Sequence, residues 1–286
     1  MPVRLPHKPR FVAFFVVGME ALAVFPPPLY GARRMPPEFF HFSAWGWAIA
    51  AVGALFVGLG KGGLTGLGIA PVLIFALILP PRESTGFVLP LLIVGDLCAV
   101  GAFWRAVKWP VLFRLFFPAL LGVFLGYLCM GRIAPAAFGP LIGAILLGLI
   151  AIQLVRKLVG ERLDRFFQST VFSLFMGILA GMTTMIANAA GPVAVLYFLS
   201  IRLLKWELIA TSAWLFFLTN LCKVPFSVHL GLINPNSLYL GLFLAPAVVA
   251  GIFIGRKAAS LIPQRQFDRF VLALSLLGAL RLIWGR

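Results

Sequence analysis

The sequence predicts an all-α integral membrane protein built from two inverted repeats, each a glycine-broken, re-entrant-like helix pair followed by three transmembrane helices. Hydrophobic residues make up 62% of the 286 residues and charged residues only 11%, whereas a soluble domain has about 25% charged residues. Apolar stretches long enough to span a bilayer recur along the whole chain, whose mean hydropathy is +1.04. The second half repeats the landmarks of the first half in the same order.

The apolar segments divide the chain into a terminal extension and two similar units that form one domain. The extension is 1–41, the first repeat is 42–157 and the second repeat is 158–286. Within the extension, 11–29 has the basic start and apolar middle of a signal peptide, but Glu20 and the missing A-x-A-like site favour a retained membrane segment.

Each repeat contains a glycine-interrupted pair of short segments and then three full spans. The predicted segments of the first repeat are 42–58, 66–79, 84–105, 111–130 and 136–156. A basic linker, 157–166, leads to those of the second repeat, which are 167–181, 188–201, 206–224, 237–255 and 266–284. An interrupted pair returns the chain to its starting side, so each repeat makes an odd number of net crossings. The two repeats are therefore expected to be inverted, as in secondary transporters.

Six landmarks carry the internal match. They pair Gly60 with Gly181, Pro71 with Pro192, Glu83 with Glu207, Asp96 with Asn220, Pro118 with Pro246, and Pro135 with Pro263. Each pair is weak alone, but their common order makes coincidence a poor explanation.

The basic residues give an independent indication of topology. The formal net charge is +16, and the lysines and arginines lie between apolar segments rather than in a separate basic domain. This pattern favours a lipid bilayer, and not nucleic acid, as the partner of the basic residues. The predicted spans place thirteen basic residues of the repeats on one side and five on the other. The positive-inside rule assigns the thirteen to the cytoplasm, so we expect a multi-pass protein of the cell membrane (the inner membrane of a Gram-negative bacterium) with its C-terminus outside.

The run GLGKGGLTG at 58–66 resembles a nucleotide-phosphate loop only superficially. A Walker motif requires glycine where Leu55 stands, and Ser or Thr where Gly62 follows Lys61. The single GxGxxG match within it is followed by membrane-like sequence instead of a soluble βαβ unit. A break in a membrane helix explains the run better, because glycines let the backbone unwind where it lines a cavity.

Lys61 makes this break a candidate anion site. A lysine at mid-bilayer costs roughly 3 kcal/mol on insertion scales, which favours a functional role, and helix ends add partial positive charge. The second break supplies uncharged hydrogen-bonding groups. Together the candidate binding residues are Gly60, Lys61, Gly62, Gly63, Thr65, Thr183, Thr184, Asn188 and Asn220. The alternatives are that Lys61 reaches an interface or pairs with Asp96 for structure alone, and that the glycines serve close helix packing.

Two further charged residues are candidates for coupling or charge pairing. Asp96 lies within PLLIVGDLCAVG, and it either carries a proton or serves as the counter-ion of Lys61. Its repeat counterpart Asn220 is the neutral isostere. Lys223 lies three residues further on the same helical face, where it either adds to an anion pathway or marks the outer end of that span.

The sequence carries no recognisable metal, cofactor or enzyme motif. Cys98, Cys129 and Cys222 have no CxxC spacing, and the histidines lack metal-ligand spacing. We therefore predict a non-enzyme that uses no cofactor and no metal. The alternatives are an anion channel, which can share the glycine breaks, and a membrane-embedded enzyme or assembly factor, which would need a reactive centre. The apolar surface is also compatible with a homodimer.

Two long motifs resemble a known family. GLGKGGLTGLGIAPVL with LPPRESTGFVLPLLIVGD is similar to the first-repeat signature of the TauE/SafE family of sulfite and organosulfonate exporters, and GMTTMIANAAGPVAVLYFL with TSAWLFFLTNLCKVPF is similar to the second. The resemblance covers about 44–284. It implies a membrane transporter of small sulfur-containing anions, coupled to an ion gradient. By matching positions it carries over Gly60, Lys61, Gly62, Asp96, Thr183, Thr184, Asn188 and Asn220.

Overall fold

The computed structural model describes residues 43–75, 78–79, 81–130, 168–233 and 235–263, with isolated positions between 137 and 151 and between 266 and 280. In these residues the α-helices are α1 Ala44–Lys61, α2 Ala70–Phe75, α3 Pro81–Phe103, α4 Trp109–Met130, α5 Thr170–Ala187, α6 Ala190–Ser200, α7 Lys205–His229 and α8 Pro235–Leu261. The predicted segments 11–29, 30–41 and 157–166 lie outside the described residues, and 136–156 and 266–284 lie largely outside them.

Membrane-spanning length is reached by six of the described helices: α1, α3, α4, α5, α7 and α8. The shorter α6 is also apolar. This confirms the prediction of an all-α, multi-pass membrane protein. The inverted relation between the two halves stays a prediction.

The first helices of the two broken pairs, α1 and α5, are built alike. Each has 18 residues and begins after a serine N-cap. Ser43 Oγ accepts a hydrogen bond from the Gly46 amide at 3.2 Å, and Ser169 Oγ accepts one from the Phe172 amide at 3.1 Å. Both caps satisfy a backbone donor that the first turn leaves free.

Both breaks lie later in the chain than predicted. α1 continues to Lys61 instead of ending at 58, and α5 continues to Ala187 instead of ending at 181. Gly58 and Gly181, at the two predicted ends, instead remain helical and lie at close contacts between helices. The first break is therefore 62–64, followed by a 3₁₀-helix over Thr65–Ile69, and the second break is only 188–189.

Close glycine contacts join α1 to α8 and α4 to α5. A methyl group on Gly58 of α1 would overlap the carbonyl oxygen of Val248 in α8, and one on Gly181 of α5 would overlap that of Ala119 in α4. Glycine thus lets each pair of helix backbones touch, as is common between membrane helices.

The second members of the broken pairs meet near the centre of the described structure. α6 is buried over almost its whole length. Gly191 in its first turn faces Gly68 of the 3₁₀-helix, because a Cβ built on either glycine would lie 3.9 Å from the Cα of the other. The two breaks are thereby brought side by side.

Candidate functional site

A cavity of about 50 Å³ lies where the two broken helix pairs meet. One wall comes from α1, the 3₁₀-helix and α2, and the opposite wall from the end of α5, Asn188 and the start of α6; α3 and α7 complete the lining. A single water needs about 10–15 Å³ of such space. The cavity therefore has room for a few waters or one small polyatomic ion.

Lys61 is the last residue of α1 and lines the cavity. Its Nζ lies 2.5 Å from Asp96 Oδ1 and 4.6 Å from the centroid of the Phe216 ring. Asp96 is fully buried, and its Oδ2 accepts a hydrogen bond from Asn220 Nδ2 at 2.7 Å. The ion pair that the sequence left as an alternative is present, yet Lys61 still reaches the cavity.

Lys223 is a second buried lysine beside the same cavity. Its Nζ donates to Asn188 Oδ1 at 2.5 Å and to the Thr184 carbonyl at 3.0 Å, with Thr184 Oγ1 at 3.4 Å. Asn188 Nδ2 in turn donates to the Thr85 carbonyl at 2.9 Å. Lys223 is 2% exposed and α7 continues to His229, so Lys223 lies inside the span and not at its outer end.

Two buried hydroxyl groups on the cavity wall have no hydrogen-bond partner in the described part of the chain. They belong to Thr65, which is 8% exposed, and Ser212, which is 1% exposed. Buried polar atoms are nearly always hydrogen-bonded, because an unsatisfied group loses its water without compensation. Both residues line the cavity, so their hydroxyl groups are candidate partners for a ligand with oxygen atoms.

The start of α6 adds a further polar feature. Ala190 and Gly191, its first two residues, line the cavity, and the preceding Ala189 provides no side-chain cap. The first amide groups of a helix have no partner within the helix and carry partial positive charge. This wall of the cavity is therefore suited to negative charge.

The structure brings most of the predicted site residues together. Those that line the cavity are Gly60, Lys61, Thr65, Thr184, Asn188 and Asn220. Asp96 and Lys223 stand behind the wall, each bonded to lining residues.

The remaining three predicted residues, Gly62, Gly63 and Thr183, do not line the cavity, and their contacts stabilise the fold. The Gly62 amide donates to the Gly58 carbonyl at 2.7 Å, and a Cβ on Gly62 would meet the Ile252 carbonyl of α8 at 2.5 Å. Gly63 turns the chain with a φ of 121°. Thr183 Oγ1 donates to carbonyl groups of its own helix.

Sequence reasoning missed Ser212 and Phe216 on α7, and Gly68 and Gly191 where the broken pairs meet. A signal for the first two was present, since Ser212, Phe216 and Asn220 are spaced by four residues and share a helical face. Gly68 and Gly191 had no comparable signal, because their proximity depends on how the two halves pack.

These features define a multi-pass helical membrane protein with a small cavity, lined by one lysine, between two helix breaks. Among the described residues, no group of three or more His, Cys, Asp or Glu side chains is placed to hold a metal ion. The chain belongs to the family described as sulfite exporter TauE/SafE, whose family model matches residues 11–282. That match begins earlier than the motif resemblance, which started at about 44, and so includes the apolar stretch 11–29. No curated protein and no solved structure was found to match the chain.

Proposed function

We propose that this protein is a secondary transporter that exports a small sulfur-containing anion across the cell membrane. One observation carries the proposal: Lys61 lines the same cavity as Thr65 and Ser212, whose buried hydroxyl groups have no partner among the described residues. A cation and free hydroxyl groups are the complement of an oxyanion. Family membership supports the sulfur class of the anion.

Each residue of the site receives a role in this proposal. The anion binds to Lys61 Nζ, and the hydroxyl groups of Thr65 and Ser212 donate to its oxygens. Asn220 and Thr184 complete the polar lining, and the start of α6 faces the negative charge. Asp96 tunes Lys61 by holding its ammonium group until the anion competes for it.

Alternating access would use the inverted repeats predicted from the sequence. Their support is a reciprocal contact: α1 of the first repeat packs on α8 of the second, and α5 of the second packs on α4 of the first. In each case the first helix of a broken pair contacts the second full span of the other repeat. Two halves related by a pseudo-two-fold axis produce such an exchange, and rocking one half against the other would open the cavity to either side.

The decisive experiment is thermal unfolding of the purified protein in detergent with sulfite, sulfate, thiosulfate, sulfoacetate, taurine, acetate or chloride. A ligand at about a hundred times its Kd stabilises the folded state by about 2.7 kcal/mol. We expect a sulfur oxyanion to raise the Tm of the wild type and to leave Lys61→Ala unchanged. Lys257→Ala, which removes an exposed lysine of α8, is the matched control and should respond like the wild type.

Lys61→Ala leaves the buried Asp96 carboxylate without its partner, so Lys61→Ala combined with Asp96→Asn serves as a second, better-balanced variant. If an anion raised the Tm of the wild type and of both variants equally, Lys61 would not be part of the binding site. If no anion shifts the wild type, the proposed site fails.

A further inference from the structure

We infer that the cavity selects singly charged sulfur oxyanions, such as hydrogen sulfite or an organosulfonate, over doubly charged ones such as sulfate. This inference rests on the proposed function and specifies its substrate by charge. It follows from counting the buried charges around the cavity.

The described side chains leave one positive charge uncompensated. Lys61 is neutralised by Asp96. Of the described acidic side chains, the other is Glu207, which pairs with Lys108 at 2.8 Å. Glu207 lies in the first turn of α7, about 24 Å along the helix from Lys223 at a rise of 1.5 Å per residue. Lys223 therefore has no carboxylate partner among the described side chains.

The partners of Lys223 fit a protonated ammonium group. Asn188 Nδ2 donates to the Thr85 carbonyl, so the amide oxygen of Asn188 is the atom that faces Lys223. The Thr184 carbonyl can also only accept. These neutral oxygens hold the ammonium group in place, but they do not cancel its charge.

The excess charge acts on the cavity through Thr184 and Asn188, which both bond to Lys223 and line the wall. A buried charge without a counter-ion is unfavourable, because it has lost its hydration without compensation. A monoanion in the cavity brings the cluster of Lys61, Asp96 and Lys223 to neutrality, whereas a dianion leaves it with one negative charge. The dianion also loses more hydration energy, because Born energy grows with the square of the charge.

The test compares a permanent monoanion with a permanent dianion of similar size. Binding of methanesulfonate and sulfate to the full chain in detergent is measured by calorimetry at equal ionic strength and fixed pH. We expect the wild type to bind methanesulfonate at least about tenfold more tightly than sulfate. Lys223→Met should weaken methanesulfonate binding by about tenfold, since it removes the excess charge.

Two further variants sharpen the test. Asp96→Asn adds one net positive charge and should move the affinity ratio toward sulfate. Lys257→Met removes an exposed lysine and should leave the ratio unchanged. If Asp96→Asn does not fold, the inference is still tested by the ratio of methanesulfonate to sulfate affinity in the wild type and by the methanesulfonate affinity of Lys223→Met.

The outcomes separate the inference from the proposed function. If sulfate binds as tightly as methanesulfonate, or if Lys223→Met leaves methanesulfonate affinity intact, charge selection is overturned while the anion site stands. If the wild type binds neither anion, the proposed anion site falls, and the inference falls with it.

Discussion

The two breaks differ in where their lysine comes from. The first break, 62–64, directly follows Lys61, the last residue of α1. The second break, 188–189, follows Ala187, and the lysine that contacts it is Lys223 of α7. Lys61 is paired with a carboxylate and is 12% exposed at the cavity. Lys223 is buried behind the wall and is held by neutral oxygens. The same helix-break design thus carries two different electrostatic environments.

The difference shows that packing and chemistry follow the predicted repeat to different extents. The serine caps, the 18-residue length and the close glycine contacts recur in α1 and α5. The charges do not recur: the predicted repeat pairs Asp96 with the neutral Asn220, which donates a hydrogen bond to it. A ligand between the two breaks would therefore meet a lysine paired with a carboxylate on one side. Behind the other side stands a lysine that no described carboxylate contacts.

The largest expected effect comes from removing the carboxylate at the first break. Asp96→Ala leaves Lys61 without a counter-ion and Asn220 without an acceptor, so we expect the free energy of unfolding to fall by about 3–5 kcal/mol. Lys223→Met, at the second break, should cost only about 1 kcal/mol, because the loss of hydrogen bonds is offset by removal of a buried charge. Denaturant or thermal unfolding in detergent measures both.

A double variant tests whether the Asp96 effect arises from the pair. Adding Lys61→Met to Asp96→Ala removes the orphaned charge and should restore much of the lost stability. Additive losses, or a larger loss for Lys223→Met than for Asp96→Ala, would contradict the contrast between the two lysines.

A smaller loss of stability is expected from substituting a glycine of α1, and its size should depend on whether the glycine packs against another helix, as Gly58 does, or lines the cavity, as Gly60 does. Gly58→Ala forces α1 and α8 apart and should destabilise the protein by about 1–3 kcal/mol. Gly60→Ala should leave stability unchanged or slightly higher, because its Cβ would lie 3.6 Å from the Gly68 amide nitrogen and alanine favours the helix. Since Gly60 lines the cavity, its variant should instead weaken anion binding.

The second break offers the matched pair for this prediction. Gly181→Ala should destabilise as Gly58→Ala does, and Gly191→Ala, whose Cβ would be 3.9 Å from its nearest neighbours, should mainly affect binding. Equal stability losses at all four glycines would show that their contacts do not differ in the way described.

The sequence predicted the helical membrane class and most spans well, because long apolar runs leave few alternatives in a bilayer. Helix ends at the breaks were predicted several residues early, since glycine and threonine signal both unwinding and close packing. Thr183 illustrates this: its hydroxyl bonds to its own helix, while that of the adjacent Thr184 faces Lys223 and the cavity. Which of two neighbouring threonines lines a cavity depends on helix rotation, which the pattern of a largely apolar helix specifies poorly.

The smallest expected effect concerns the backbone of the second break. Asn188 has a φ of 53°, in the left-handed region. Asn188→Gly and Asn188→Ala both lose the hydrogen bonds to Lys223 and Thr85, so the difference between them reports the backbone alone. Alanine is strained in this region by about 1–2 kcal/mol. Glycine avoids this strain, but part of its advantage is lost because glycine increases the conformational entropy of the unfolded chain. We expect the glycine variant to be more stable by about 1 kcal/mol in thermal unfolding.

The first break is the control for that prediction. Gly63 has a φ of 121°, beyond the left-handed region that asparagine tolerates, and its Cβ would lie 2.9 Å from Ala259 Cβ in α8. Gly63→Asn should therefore lower the Tm, although asparagine is accepted at the other break. Two results would contradict this account: an unchanged Tm for Gly63→Asn, or equal stability of Asn188→Ala and Asn188→Gly. Either would mean that the positive φ angles at 63 and 188 do not restrict which residue is tolerated there.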